Sequence, residues 1–299
     1  MKTKKEGLMY KVYKAKWCYI ALLPSLILLG MFKLYPAVIG IFRSLCSWKS
    51  KNYFSPVFAG LINYKRLFTD FEFWKSFGVL LVFIITGFIT TFIICLPFTY
   101  LVYKLEGSRF GKFFQRAFVI PMMVPSMVTL MFWRFFYEYQ EGILNTILRF
   151  IGKEEWIHIW LADNNLTLPA LLFIGFPFVA GFSFLILLSG FLNLDASLAE
   201  AAKLDGANAW KRFFTIDLPL VIPQIKVLSV LGMINGIQAF NTQMVMTDGK
   251  YNTMVPGLYM YQTAFKKGNY GYASAMSVML FVIILIITIM QQKYIKNVD

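Results

Sequence analysis

The sequence contains little charge, few cysteines and a single histidine. Asp, Glu, Lys and Arg make up 15% of its 299 residues, whereas soluble chains carry about 25%. The three cysteines include no C-x-x-C pair, and His158 has no cysteine near it in the sequence, so neither a disulfide framework nor a metal centre is indicated. A membrane enzyme would need clustered His, Asp or Glu residues, which one histidine and scattered acids do not supply.

A motif for binding nucleotide phosphates is also missing. Gly249 and Lys250 are followed by Tyr251, and no G-x-x-x-x-G-K-[ST] segment occurs elsewhere in the sequence. We therefore expect this chain to bind no nucleotide and to need no cofactor of its own.

Apolar residues are abundant instead. They make up 58% of the chain, 18% of the residues are aromatic, and the mean hydropathy is +0.62. A membrane-spanning helix needs about 20 mostly apolar residues. The sequence therefore predicts an all-α membrane protein with six transmembrane helices. The predicted helices lie at about 17–42, 76–103, 117–137, within 166–194, 218–246 and 270–291.

The positions of the basic residues predict the orientation. The net charge is +14, but Lys and Arg lie between the apolar runs, which indicates contact with lipid head groups and not with nucleic acid. Six lysines precede the first run, which lacks a small-x-small cleavage site, so we expect an uncleaved first helix with both termini cytoplasmic. The expected division is a cytoplasmic tail at 1–16, a transmembrane domain at 17–292 and a cytoplasmic tail at 293–299.

The six apolar runs carry no acidic residue, and the two halves of the chain show no clear repeat. Ion-coupled secondary transporters usually have membrane-buried acids or internal repeats. A stand-alone secondary transporter is therefore kept only as the alternative function.

The predicted cytoplasmic loop at 195–217 has clear helix boundaries. Asp195 is a good N-cap for a first short helix, and Gly206 can end that helix with a positive φ. Asn208 can cap a second short helix, and Pro219 begins the next apolar run. Two short helices joined at a glycine would form a compact knob, suited to a helix-in-groove contact.

This loop resembles the EAA loop of binding-protein-dependent ABC importer permeases. The matching residues are Glu200-Ala201-Ala202, Asp205-Gly206-Ala207, Phe213, Ile216 and Leu218-Pro219. The resemblance implies that the loop between helices 4 and 5 is a coupling helix, which docks in a groove of a separate ATPase subunit where ATP is bound. It assigns the coupling role to Glu200, Ala201, Ala202, Asp205, Gly206, Ala207, Phe213, Leu218 and Pro219.

Weaker matches resemble the sugar-importing subfamily of maltose- and glycerol-phosphate-type permeases. They include Tyr35-Pro36, Gly60-Leu61-Ile62-Asn63-Tyr64 and Gly271-Tyr272-Ala273-Ser274-Ala275. Thr247-Asp248-Gly249-Lys250 lacks the second Gly and the Pro of that subfamily's Thr-x-Gly-Gly-Pro turn. The resemblance implies a non-enzymatic permease subunit in a bacterial inner membrane. Its implied partners are a dimer of ABC ATPase subunits, a second, different permease subunit that forms a heterodimer with this chain, and an extracytoplasmic solute-binding protein.

The fifth apolar run carries an unusual set of uncharged polar residues. Asn235, Gln238 and Thr242 follow i, i+3, i+7 spacing, and Asn241 is three residues after Gln238. Amides both donate to and accept from sugar hydroxyls, so these four residues are candidates for the substrate path. Hydrogen bonding between helices is the other interpretation.

Overall fold

The computed structural model describes residues 13–294 and is helical apart from one short β-hairpin. The described chain divides into two compact units. The first comprises residues 13–69 and Thr263–Met279, and the second comprises Asp70–Gln262 and residues 280–294.

The first unit contains the long helix α1 (Lys16–Ser44), the antiparallel strands β1 (Cys46–Ser47) and β2 (Val57–Phe58), and helix α2 (Ile62–Thr69). Asn63 ties this unit together, because its side-chain amide donates to the carbonyls of both Ser44 and Cys46, at 2.8 and 2.9 Å. Gly271 lies so close to the Cys46 carbonyl that a Cβ there would clash.

The second unit starts with a well-capped helix. The Asp70 carboxylate accepts a hydrogen bond from the Phe73 N–H at 3.1 Å and begins α3 (Phe71–Lys104). A π-helical stretch at Ile89–Cys95 interrupts α3 just before Pro97, which has no N–H for a helical hydrogen bond.

The remaining elements are short or bent helices. In chain order they are α4 (Arg109–Met123), α5 (Ser126–Phe136), α6 (Ile143–Phe150), α7 (Thr167–Phe173), α8 (Gly181–Leu192), α9 (Ala196–Leu204), α10 (Ala209–Leu220), α11 (Ile222–Gln238), α12 (Asn241–Met246), α13 (Pro256–Phe265) and α14 (Tyr270–Tyr294).

Two apolar clusters hold the second unit around α3. Near the C-terminal end of α3, Val102 packs with Phe191 of α8 and Phe213 of α10. Nearer its start, Leu80 and Ile84 pack with residues of α11 and of the C-terminal half of α14. Between helices that cross a membrane, such clusters stabilise the fold through van der Waals packing, because lipid is as apolar as these side chains.

The helical membrane fold predicted from the sequence is confirmed, but helix length and apolarity support fewer continuous spans than six. Among the described residues, α1, α3 and α14 are each long and apolar enough to cross a membrane. The pair α4 and α5 is bent by 95°, and the pair formed by α10 and the segment Ile222–Met246 is bent by 63°. Counting each bent pair as one span gives up to five.

The predicted fourth span shows why an apolar run need not form one continuous helix. The stretch 166–194 contains seven-residue α7 and twelve-residue α8, separated by a non-helical connection with a cis Phe176–Pro177 bond. Prolines at or next to a break also occur at Pro125 and Pro223. A proline lacks an N–H donor and disfavours helical geometry in the residue before it, so an apolar run containing one need not be one helix.

Candidate coupling loop and solute path

The local geometry of the loop between α8 and α11 agrees with the predicted caps. The Asp195 carboxylate accepts from the Ser197 N–H at 2.9 Å, and this bond, with one from the Ser197 hydroxyl, lowers the pKa of Asp195. Gly206 has φ +73°, and Asn208 caps α10 by accepting from the Lys211 N–H at 2.8 Å. The loop is therefore two short helices joined at Gly206.

The joint has the 6→1 hydrogen bond that is typical of a Schellman motif. The Ala207 N–H donates to the Ala202 carbonyl at 2.9 Å, which satisfies a carbonyl at the end of α9. Gly206 supplies the left-handed residue that this motif needs, and a side chain there would strain the backbone even though space is open around it.

The knob exposes large apolar side chains. Leu204 is 89% exposed, Trp210 is 73% exposed and Phe214 is 57% exposed. The rings of Trp210 and Phe214 stack with centroids 6.2 Å apart. Because these side chains lie outside the long apolar helices, they form a candidate interaction surface.

The residues assigned to coupling divide between this surface and the interior. Glu200, Ala201, Asp205 and Gly206 are exposed. Ala202 and Phe213 are buried. The last three, Ala207, Leu218 and Pro219, are half-buried.

The interior side of α10 contains a functional candidate that the sequence reasoning missed. Asp217 is 2% exposed. Its carboxylate accepts from the Tyr100 hydroxyl at 2.7 Å and from the Arg212 Nε at 3.2 Å, and it lies 3.6 Å from the Lys104 Nζ. The sequence feature that could have indicated Asp217 is a single acidic residue in an apolar stretch, five residues after Arg212.

The predicted polar face of the fifth span is not one continuous helical face. Helix α11 ends at Gln238, Ala239 is extended, and α12 begins at Asn241. The Phe240 ring at this break packs 5.5 Å from the ring of Tyr261. The i, i+7 relation between Asn235 and Thr242 therefore does not hold, because it assumes an unbroken helix.

These polar residues nevertheless lie close together in the chain at the α11–α12 break. Asn235, Gln238 and Asn241 are exposed, and Thr242 is half-buried. Gln243, the next residue, is 3% exposed, and its Oε1 accepts no hydrogen bond from any described residue.

Two cavities of about 210 and 180 Å³ lie beside Thr242, and both are also lined by Phe83 of α3. Gln243 lines the smaller one. The larger is further lined by Thr86, Gly87, Thr90, Leu171, Leu172, Ile174 and Phe178. Thr86, Thr90 and Thr242 thus offer hydroxyl groups to the larger cavity, and Thr242 and Gln243 offer polar groups to the smaller, mainly apolar one.

The long apolar helices define an integral membrane protein. Residues 96–298 match the family described as binding-protein-dependent transport system inner membrane component, and the chain belongs to this family. The match includes the knob, the α11–α12 break and all of α14. The protein is thus a permease component of an ABC importer.

Individual relatives span nearly the whole chain. This chain is 30% identical to the multiple sugar-binding transport system permease protein MsmF of Streptococcus mutans, over 97% of this chain and 98% of the relative. It is 31% identical to the trehalose/maltose transport system permease protein MalF of Thermococcus litoralis, over 95% of each chain.

A solved structure has the same fold. A chain of a bacterial ABC transporter involved in the import of the acidic polysaccharide alginate superimposes with a TM-score of 0.82 at 21% identity, covering 98% of this chain and 100% of that chain.

Proposed function

We propose that this chain is the transmembrane permease subunit of an ABC importer that translocates a sugar or oligosaccharide. A solute-binding protein delivers the substrate, and a separate ATPase subunit drives transport. The observation that carries the sugar assignment is the near-complete alignment with two permeases whose names specify sugar transport.

The knob formed by α9 and α10 supports the ATPase part of this proposal. It is the EAA coupling loop in our assignment, and its exposed side chains Leu204, Trp210 and Phe214 suit burial in a groove of a partner. Under this assignment a dimer of ATPase subunits holds the ATP, and the permease binds no cofactor. Glu200, Ala201 and Asp205 lie exposed on the same loop and would contact the ATPase directly.

The break between α11 and α12 supports the assignment of the solute path. An amide exposed to lipid loses hydrogen bonds with water, at a cost of about 1 kcal/mol or more. Asn235, Gln238 and Asn241 are exposed in this chain and are therefore expected to face a wet passage or a second permease subunit. Next to these residues, Thr242 lines both cavities and Gln243 lines the smaller one.

The direct test is reconstitution of the complex. The chain is purified from its host membrane with an affinity tag, its co-purifying subunits are sequenced, and the complex is placed in proteoliposomes with its binding protein. We expect an ATPase to co-purify and enclosed ATP to drive accumulation of radiolabelled maltose or trehalose. ATP-driven uptake of a non-sugar would overturn the sugar assignment. Uptake driven by an ion gradient without ATP would instead favour a stand-alone secondary transporter.

In the proposed orientation the chain crosses the inner membrane six times. Both termini and the coupling loop lie in the cytoplasm. The test uses a chain whose three native cysteines are replaced and in which a single cysteine is placed at Lys14, Glu154 or Ala209. Labelling of that cysteine by an impermeant thiol reagent shows on which side of the membrane it lies. All three positions are exposed. We expect Glu154→Cys to be labelled on intact cells or spheroplasts, and the other two only after permeabilisation. Labelling of Ala209→Cys but not Glu154→Cys before permeabilisation would invert the orientation.

A further inference from the structure

The buried Asp217 carboxylate joins two separate helices. Arg212, on its own helix α10, donates through Nε at 3.2 Å to Oδ1 and lies 3.2 Å from Oδ2. The other two partners, Tyr100 and Lys104, belong to the last turns of α3. The link to Tyr100 connects residues 117 positions apart in the chain.

Burying the charges of this link costs free energy unless they are paired. Asp217 and Arg212 have side chains only 3% and 13% exposed, so both charges are largely removed from solvent. A buried charge that loses its partner is strongly destabilising, whereas a charge with several hydrogen bonds is held in one geometry. The carboxylate therefore fixes α10 against α3 at one point.

Helix α10 presents different side chains on its two sides. Phe213 and Asp217, four residues apart, are both buried, and the Phe213 ring lies 4.5 Å from the ring of Tyr100. Trp210 and Phe214, also four residues apart, are exposed on the knob. The same short helix thus carries the proposed docking surface and the attachment to α3.

Helix α3 continues from this attachment to the cavity region. Phe83, Thr86, Gly87 and Thr90, on the same helix as Tyr100, line the cavity of about 210 Å³. A displacement of α10 that is passed to the end of α3 would therefore act on a helix that forms one wall of that cavity.

We propose that Asp217 is a positioning residue that ties the coupling loop to α3, so that movement of the loop on the ATPase is transmitted to the cavity wall. This inference rests on the proposed function. It concerns transmission within the permease and is separate from the contact with the ATPase.

Hydrogen–deuterium exchange tests the physical link without any transport. In the purified complex, Asp217→Asn and Tyr100→Phe should each accelerate amide exchange across residues 209–217 by about tenfold, the effect of one lost charge-assisted hydrogen bond. Tyr103→Phe is the matched control, because the Tyr103 ring stacks on Phe191 and its hydroxyl makes no hydrogen bond within residues 13–294. Equal exchange in all four proteins would overturn the link.

The transmission role is tested by the ratio of sugar transported to ATP hydrolysed in proteoliposomes with radiolabelled maltose or trehalose. We expect Asp217→Asn to lower this ratio about tenfold while the ATPase stays bound, and Asp217→Glu to restore part of it. The double variant Asp217→Asn/Tyr100→Phe should be little worse than either single variant, because both remove one interaction.

The outcomes separate this inference from the proposed function. Faster exchange with an unchanged transport ratio would show that the link is only structural and would overturn the transmission role. Additive effects in the double variant would also overturn it. Absence of ATP-driven uptake by the unmodified complex would refute the proposed function, and the transmission role would fall with it even if the exchange result stands.

Discussion

The double variant Leu204→Glu/Trp210→Glu is expected to lose its ATPase subunits during purification. Both side chains are mostly exposed on the knob, and burying two carboxylates in an apolar groove without partners is unfavourable. Loss of one central aromatic contact typically costs about 2 kcal/mol or more at an interface. We therefore expect affinity for the ATPase to fall by at least about 30-fold, measured by binding of the isolated ATPase to immobilised permease.

The matched control for this variant is Phe150→Glu. Phe150 is 91% exposed at the end of α6 and lies on the opposite side of the membrane in the proposed orientation, so it undergoes the same kind of apolar-to-Glu change away from the knob. It should retain the ATPase. Retention of full affinity by the Leu204→Glu/Trp210→Glu protein would show that the ATPase binds elsewhere.

The second large effect is expected at the break between α11 and α12. Changing both Gln238 and Asn241 to Leu should reduce sugar uptake at least about tenfold, because each lost hydrogen bond to a sugar hydroxyl is worth about 1 kcal/mol. Assembly with the ATPase and basal ATP hydrolysis should persist, since the knob is untouched. The measurement is uptake of radiolabelled maltose or trehalose beside ATPase activity in the same proteoliposomes.

Asn193→Leu is the control for this pair, because it makes the same amide-to-alkyl change at an exposed residue just after α8. Normal uptake by the Gln238→Leu/Asn241→Leu protein would move the path to other residues of this chain or to the partner permease. Loss of assembly instead of uptake would mean that the two amides make packing contacts between helices.

Much of the candidate coupling loop's local structure could be predicted because its determinants are local. An N-cap needs only a side-chain acceptor a few residues before the amide it bonds, as at Asp195 and Asn208. A helix end with positive φ needs only a glycine, as at Gly206. These features depend on neighbours in the chain, so they can be read without knowing the fold.

The candidate solute path could be predicted only in part. Composition singled out the polar residues of the fifth span, but the spacing argument assumed that the helix continued from Gln238 to Thr242. The structure ends the helix and extends the chain at Ala239, where Phe240 packs on Tyr261. Such packing against α13 outweighs the small differences in intrinsic helix propensity, and no periodicity within the segment reports it.

The sequence by itself determined that this is a helical membrane protein, where its candidate coupling loop begins and bends, and which family it resembles. Each follows from composition or from residues close together in the chain. Only the tertiary structure decided which apolar runs are continuous helices and that Gln243 lines a cavity. It also decided that Asp217 joins α10 to α3, because its Tyr100 partner lies 117 residues away and is brought near only when the helices pack.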